Sequence, residues 1–365
     1  MSLPDLSVLR DDVRAMSAYV VPEAKGLIKL DAMENPYALP PELAQALGQR
    51  LAQVTLNRYP PSDPRALKAK LGELLGVPAG AGLMLGNGSD ELIHLLIQAC
   101  AKPGASGTVG AVGTTVLAPW PGFVMVENSA RLNGCRFVGA PLRADFELDL
   151  PALLSAIQAQ RPAVTFIAYP NNPTGNLFDR DAIATLIRAA APGLVVLDEA
   201  YLPFAGSTWM PQLAEFPNLL VLRTLSKLGL AGLRLGYLAA HPAWIEQLDK
   251  VRPPYNVNAL TLAATDFLLD YLDLFEVQAA SIRAQRALLL RALRALPGVT
   301  AYDSAANFVL FRVANPDAAF AGLKQRGILI KNVSRMHPLL EGCLRVTVGT
   351  PLENDAFLTA LAATL

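Results

Sequence analysis

Short apolar runs rich in β-branched residues recur through the middle of the chain. They are LMLGNG at 83–88, TTVLA at 114–118, RFVGAPL at 136–142, AVTFIAYP at 163–170, GLVVLDEAY at 193–201, NLLVLRTLS at 218–226 and RLGYLAA at 234–240. Helix-period segments separate them, among them DELIHLLIQAC, LPALLSAIQAQ and DRDAIATLIRAAA. Strand and helix in alternation predict an α/β lobe whose central sheet is mostly parallel and covered by helices on both faces. Two helices lead into it. ELAQAL follows Pro40 and Pro41, a favoured helix start, and DPRALKAKLGELLGV sets Leu67, Leu71, Leu74 and Leu75 on one face before Gly76 stops it. This large lobe is assigned to residues 41–254.

Pro253 and Pro254 in VRPPYNVNAL break the rhythm, and a long helix is expected from Ala259 to about Leu296. NFVLFRV, GILIKNV and CLRVTVG then read as strands around the helix DAAFAGLKQRG, with LENDAFLTALAATL closing the chain. These make a smaller α+β lobe at 255–365. The polar, irregular residues 1–40 are expected to join it as an arm. GASGTVGAVGTT at 104–115 reads as a flexible Gly/Thr loop.

Composition narrows the function. With 52% of 365 residues hydrophobic and 17% charged, the chain can fill a large core divided between two lobes. A formal charge of +0 without a long basic run speaks against a nucleic-acid partner and a polybasic membrane anchor, and favours a small or weakly charged ligand. Cys100, Cys135 and Cys343 are odd in number and far apart, so buried thiols are expected and neither a disulfide framework nor a metal cluster. Charges in MSLPDLSVLRDDVRAM interrupt any signal-peptide core, and prolines and glycines interrupt the uncharged run at 103–126. A cytoplasmic protein with no membrane segment is expected.

Sheets of this kind bind ligands beyond the carboxyl ends of their strands, so the residues after each apolar run matter most. LMLGNG passes through Gly86 and Gly88 to a helix with Ser89 at the N-cap and acidic residues in its first turn. Its amides could hold a phosphate, and an ordinary capped helix fits the same residues. The dinucleotide fingerprint G-x-G-x-x-G fails at Glu91. His94, among Leu92, Ile93, Leu95 and Leu96, reads as a core or boundary histidine. The N-P and T-G pairs of AYPNNPTGN are turn formers.

Asp198 and Glu199 end a strand expected to be buried on both faces, where carboxylates are costly without a cation nearby. Lys227 and Arg234, seven residues apart in the otherwise apolar TLSKLGLAGLRLG, can supply it. Burial lowers a lysine pKa and makes the amine a usable nucleophile, while arginine stays charged and suits phosphate or carboxylate. Taken alone, the segment is equally a buried helix from which two cations snorkel.

In that order, YPNNPTG, VVLDEAY and TLSKLGLAGLRLG resemble the class II, fold-type I pyridoxal-phosphate (PLP) aminotransferases. DAMENPY, NRYP, NFVLFR and GCLRVTVGT are similar to the histidinol-phosphate aminotransferase branch of that family, and the resemblance runs from about Tyr19 to Gly349. It implies a fold-type I PLP-transferase with a large cofactor-binding domain and a small one. Lys227 is then the lysine that binds PLP covalently, and Asp198 the anion that keeps the pyridine nitrogen protonated. Tyr201 and Asn172 would hydrogen-bond the ring's phenolic oxygen. Gly88 and Ser89 would bind the cofactor phosphate through their backbone, joined by Ser226 and Arg234, while Asp90 beside them is given no catalytic role.

Phe123 would stack on the ring, although Val126 stands where relatives often carry tyrosine. NRYP would bring Tyr59 to the PLP phosphate of a neighbouring subunit, which implies a homodimer with shared active sites. Tyr19, Asn172, Lys331 and Arg345 make up the implied substrate-binding set, with Lys331 standing where many relatives have arginine. The activity implied is transfer of an amino group between histidinol phosphate and 2-oxoglutarate in histidine biosynthesis, yielding imidazole-acetol phosphate and glutamate, with no metal. An aromatic or other amino-acid transaminase of the same branch, and a threonine-phosphate decarboxylase-like lyase, share the motifs. A PLP-fold sensor domain of a regulator would bring a DNA-binding segment, and no helix-turn-helix fits before Pro40.

Overall fold

The computed structural model describes residues 4–16, 18, 22–102 and 113–365. Tyr19 and most of the Gly/Thr-rich segment lie outside the described residues. Strand β1 (Ile28–Lys29) belongs to the N-terminal segment. The next seven are β2 (Gly82–Asn87), β3 (Thr115–Trp120), β4 (Arg136–Pro141), β5 (Val164–Ala168), β6 (Leu194–Asp198), β7 (Leu219–Thr224) and β8 (Leu235–Ala240). The C-terminal part carries β9 (Thr300–Ala301), β10 (Phe308–Arg312), β11 (Ile328–Leu329), β12 (Lys331–Asn332) and β13 (Cys343–Thr347).

The main sheet has the order β2-β8-β7-β6-β5-β3-β4. Every pair from β7 to β4 is parallel, and β8 alone runs antiparallel to both its neighbours. Every residue of β6 and β7 is buried, in keeping with the apolar runs Leu194–Leu197 and Leu219–Leu222 that precede Asp198 and Arg223. Successive residues still divide between the faces. Val195, Leu197, Leu219 and Val221 pack with Trp209 and Tyr237 on one side, whereas Val196, Leu220 and Leu222 pack with Leu92 and Ile93 on the other.

The long helix expected from Ala259 is two helices, Ala259–Leu268 and Leu272–Ala295, separated by a 3₁₀ turn at Leu269–Tyr271. Leu268 and Leu269 are both buried, so the apolar pattern runs through the change of axis without marking it. Leu262, Leu268 and Phe275 belong to the large-lobe core, and the packing passes to the smaller lobe only from Ala279 onward. The chain thus changes lobe inside the second helix, later than the prolines suggest.

GILIKNV is likewise two short strands in different sheets. β11 pairs in parallel with β1, while β12 pairs with β13 in the sheet β12-β13-β10-β9. The β1–β11 pairing, together with Asn307 Nδ2 donating to the Met33 carbonyl at 2.9 Å, stitches the N-terminal segment into the smaller lobe. Leu30 and Met33 lie in that lobe's core.

Candidate active site

A cavity of about 200 Å³ opens beyond the carboxyl ends of β5, β6 and β7, the place where parallel sheets of this kind take their ligands. Ala168, Asp198 and Thr224 reach it from those strands, and Ala32, Met33 and Glu34 close it from the N-terminal segment. Ser89, Phe123, Asn172, Tyr201, Ser226, Lys227 and Arg234 line it too, so most of the residues singled out from the sequence converge here.

Lys227 follows β7 in one π-type turn, Ser226–Leu230, a local form that recurs at functional sites. Gly229 sits there at φ 133, and a Cβ on it would lie 2.9 Å from Asn35 Nδ2, so the turn requires glycine. Lys227 Nζ donates to the Ala32 carbonyl at 3.1 Å and lies 5.9 Å from the centre of the Tyr201 ring. Burial first, then the positive charge of Arg345, pulls its pKa down to about 8. Such an amine carries a usable neutral fraction at physiological pH.

Burial pushes the Asp198 carboxyl up to about 7, although the Ala200 amide donates to Oδ1 at 3.0 Å and opposes the rise. A cation or protonated base placed against it would hold it ionised. The Tyr201 hydroxyl is pushed up as well, again by burial. Asn172 Nδ2 donates to that hydroxyl at 3.2 Å, and Asn172 Oδ1 accepts from Arg345 Nη1 at 2.5 Å. Arg345 Nη2 donates to the Asp31 carbonyl at 2.9 Å, and its guanidinium lies 5.2 Å from the centre of the Phe308 ring.

The opposite end of the cavity is shaped for an anion. Helix Ser89–Cys100 begins there, and its cap position is Gly88 at φ 81, with no side-chain cap; Ser89 is the first helical residue, not the cap expected from its type. A side chain on Gly88 would displace Arg234, whose Nη2 lies 2.6 Å from where a Cβ would stand. Gly236 on β8 is equally constrained, because a Cβ there would lie 2.8 Å from the Ser89 nitrogen. Arg234 Nη1 donates to Ser226 Oγ at 3.4 Å, and its Nη2 is 3.6 Å from Asp90 Oδ2. First-turn amides, a hydroxyl and a guanidinium therefore share one corner, a donor set suited to phosphate.

Tyr59, expected at the site of a neighbouring subunit, is 81% exposed, outside this cavity, and stacks on Tyr255 with ring centres 4.6 Å apart. Lys331 pairs by register with Arg345 across β12 and β13, and neither of them lines the cavity. Glu199 does not share a cation with Asp198. Neighbours in an extended strand point to opposite faces, and Glu199 Oε2 accepts from Arg223 Nε at 2.9 Å on the far side of the sheet, with side chains 0% and 6% exposed. Removing one partner of such a pair costs ~3–5 kcal/mol, whereas apolar replacement of both is often neutral or stabilising.

Arg223, Thr224 and Glu34 were not marked by sequence reasoning. Thr224 had a signal, two residues before Ser226, whose Oγ accepts from Thr224 Oγ1 at 2.9 Å. His94 is half-buried with Nδ1 3.4 Å from Asn133 Nδ2, Cys135 and Cys343 are buried, and Cys100 is half-buried.

Residues 25–361 match the family Aminotransferase class I and II. The chain belongs to this family. The aminotransferase is 59% identical to histidinol-phosphate aminotransferase 1 of Ralstonia nicotianae, over 100% of this chain and 96% of the relative. It is 55% identical to the histidinol-phosphate aminotransferase of Chromobacterium violaceum, over 99% of each chain. Its structure is similar to that of histidinol-phosphate aminotransferase from Sinorhizobium meliloti in complex with pyridoxal-5'-phosphate, with TM-score 0.85 and 25% identity over 100% of this chain and 99% of that one. L-threonine-O-3-phosphate decarboxylase from Porphyromonas gingivalis shares the fold, with TM-score 0.77 and 23% identity over 92% of this chain and 99% of that one. The aminotransferase is a PLP-dependent transaminase of the fold expected. Among the described residues no helix is long and apolar enough to cross a membrane, and no cluster of His, Cys, Asp and Glu could hold a metal.

Proposed function

We propose that the aminotransferase holds PLP in this cavity and exchanges the amino group between histidinol phosphate and 2-oxoglutarate, giving imidazole-acetol phosphate and glutamate. The substrate reading is supported by the 54–59% identity to full-length relatives that carry that name. One observation supports the placement of the cofactor: a single cavity brings together an amine whose pKa burial lowers, a carboxyl whose pKa burial raises and an anion-binding corner.

PLP, when bound, supplies the electron-withdrawing ring that stabilises negative charge at the substrate's Cα. Asp198 would face the ring nitrogen and keep it protonated. Asn172 and Tyr201 would donate to the phenolic oxygen, and Phe123 would cover the ring. Gly88, Ser89, Ser226 and Arg234 would hold the phosphate. Lys227 would bond the cofactor between turnovers, and its Nζ, once released, would take the Cα proton of the amine substrate as a general base. Arg345 would receive the anionic end of each substrate, with Lys331 adding a second cation and Tyr19 a hydroxyl. The reaction takes place in the cytoplasm.

The active unit is a homodimer. In support, Tyr59 and Tyr255 stack beside exposed Leu56 and Leu260, an aromatic patch that a second copy would cover while Tyr59 reaches the partner's cofactor phosphate. Borohydride reduction of the holoenzyme followed by peptide mapping tests the cofactor placement: label is expected on Lys227, and label on Lys331 or Lys250 would overturn it.

A further inference from the structure

We propose that Glu199 and Arg223 are positioning residues, a buried ionic strut on the reverse face of the sheet that sets the end of β6, which carries Asp198, relative to the end of β7, from which the turn bearing Lys227 follows.

The geometry is specific. Asp198 and Thr224 face the cavity, and the residues beside them in sequence, Glu199 and Arg223, face the opposite layer. Glu199 directly follows β6, its backbone amide donating to the Leu222 carbonyl at 2.8 Å, and its side chain grips β7 again through Arg223 Nε. The carboxylate also accepts from the Trp209 amide at 2.5 Å and from Thr208 Oγ1 at 2.8 Å. Arg223 completes the frame by donating from Nη1 to the Leu75 carbonyl at 2.9 Å and to the Tyr237 hydroxyl at 3.2 Å, and from Nη2 to Thr208 Oγ1 at 2.7 Å. One pair therefore joins β6, β7, β8, the loop at Thr208 and the end of helix Arg65–Leu74.

Apolar side chains would fill this space without the desolvation of two charges, so packing alone does not require an ion pair here. What the pair adds is direction. The guanidinium fork and carboxylate fix distances and angles between strand ends that apolar contacts leave free to slide. Those strand ends hold the cavity's groups from behind, and a shift of a fraction of an ångström there changes the position of Asp198 and the environment of Lys227 together.

Three full-length variants test this: Arg223→Lys, Glu199→Gln, and Glu199→Met combined with Arg223→Met. Each is stripped of PLP. The PLP dissociation constant is read by equilibrium dialysis, and the pH midpoint of Lys227 reaction with an amine-directed reagent is read by peptide mass spectrometry. The double methionine variant is expected to unfold cooperatively near the parent's melting temperature while binding PLP about tenfold more weakly. Its Lys227 midpoint is expected to differ from the one measured for the parent. Arg223→Lys keeps the charge but loses the fork, and Glu199→Gln keeps the shape but loses the anion; both should move the two readouts in the same direction by less. If the double variant fails to fold, Arg223→Lys decides alone. An unchanged dissociation constant and midpoint in folded Arg223→Lys overturns the proposal, whatever its melting temperature, because that is the behaviour of a pair serving packing only. The inference rests on Lys227 and Asp198 lining the cofactor site. A borohydride label elsewhere in the parent would sink that reading while leaving the midpoint measurement intact.

Discussion

Arg345 Nη1 donates to Asn172 Oδ1 at 2.5 Å, joining β13 of the smaller sheet to the loop that follows β5 of the larger one. The same asparagine donates onward to the Tyr201 hydroxyl, so a cation at the edge of the cavity is linked through one side chain to the group that would touch the cofactor ring. An anionic substrate bound at Arg345, as proposed, would compete for the guanidinium and change the load on Asn172. Recognition and chemistry would thereby be coupled through a single amide.

From this coupling, Arg345→Ala should impair the histidinol-phosphate and the glutamate half-reactions alike. Loss of a charge-assisted contact of ~2 kcal/mol or more predicts a drop of roughly 30-fold or greater in each. Lys331→Ala should hurt histidinol phosphate more than glutamate, because a phosphate dianion gains more from a second cation. Single-turnover kinetics of each half-reaction separate the two effects, and equal losses in Lys331→Ala would remove Lys331 from the phosphate site.

Asp198→Asn should still bind PLP through the phosphate corner but transaminate about 10²–10³-fold more slowly, the scale of losing one preorganised electrostatic group. Its cofactor-free form should show the opposite trend in stability. Burial raises the folded carboxyl to about 7 from an ordinary 3.8, so between those values the folded state holds a proton that the unfolded chain releases. The parent therefore loses stability as pH rises through that window, and the asparagine variant does not. Melting temperatures at about pH 4 and about pH 8 should show the variant gaining on the parent at the higher pH; a constant difference would mean that Asp198 titrates normally.

Gly88→Ala should weaken PLP binding while leaving binding of the phosphate-free pyridoxal largely unaltered. The substitution combines a positive backbone φ of 81 with a Cβ 2.6 Å from Arg234 Nη2, so the guanidinium must shift from its present place. Parallel titrations with the two compounds check this, and equal weakening of both would point to general disruption of the helix start.

Mixing inactive Lys227→Ala with a severely impaired Tyr59 variant should recover part of the activity if each site borrows a tyrosine from its neighbour. A fully active species that sediments as a monomer would rule out the shared site.

The sequence carried the chemistry of the cavity better than the frame around it. Lys227, Asp198, Asn172, Tyr201 and Arg234 stand beside strand ends or turn formers, where a polar residue in an apolar run is conspicuous, and they meet in one place. Ser89 was displaced by one position because its type suits a cap, whereas Gly88 alone tolerates the backbone and the guanidinium above it. The break at Leu269–Tyr271 was invisible because buried leucines continue across it. Arg223 went unmarked for a related reason: inside NLLVLRTLS it is one cation in a strand, and only the strand pairing puts it against Glu199. Such partnerships depend on register between segments distant in sequence, which periodicity along one segment does not contain.

The most direct test of the proposed reaction is a stopped-flow half-reaction of the PLP-loaded parent with histidinol phosphate, followed by absorbance. Rapid conversion of the cofactor from its aldehyde to its amine form is predicted, with slower conversion by phenylalanine and no carbon dioxide from threonine phosphate. Failure with histidinol phosphate while phenylalanine reacts would contradict the account in favour of an aromatic transaminase, and carbon dioxide release from threonine phosphate would contradict it in favour of a lyase.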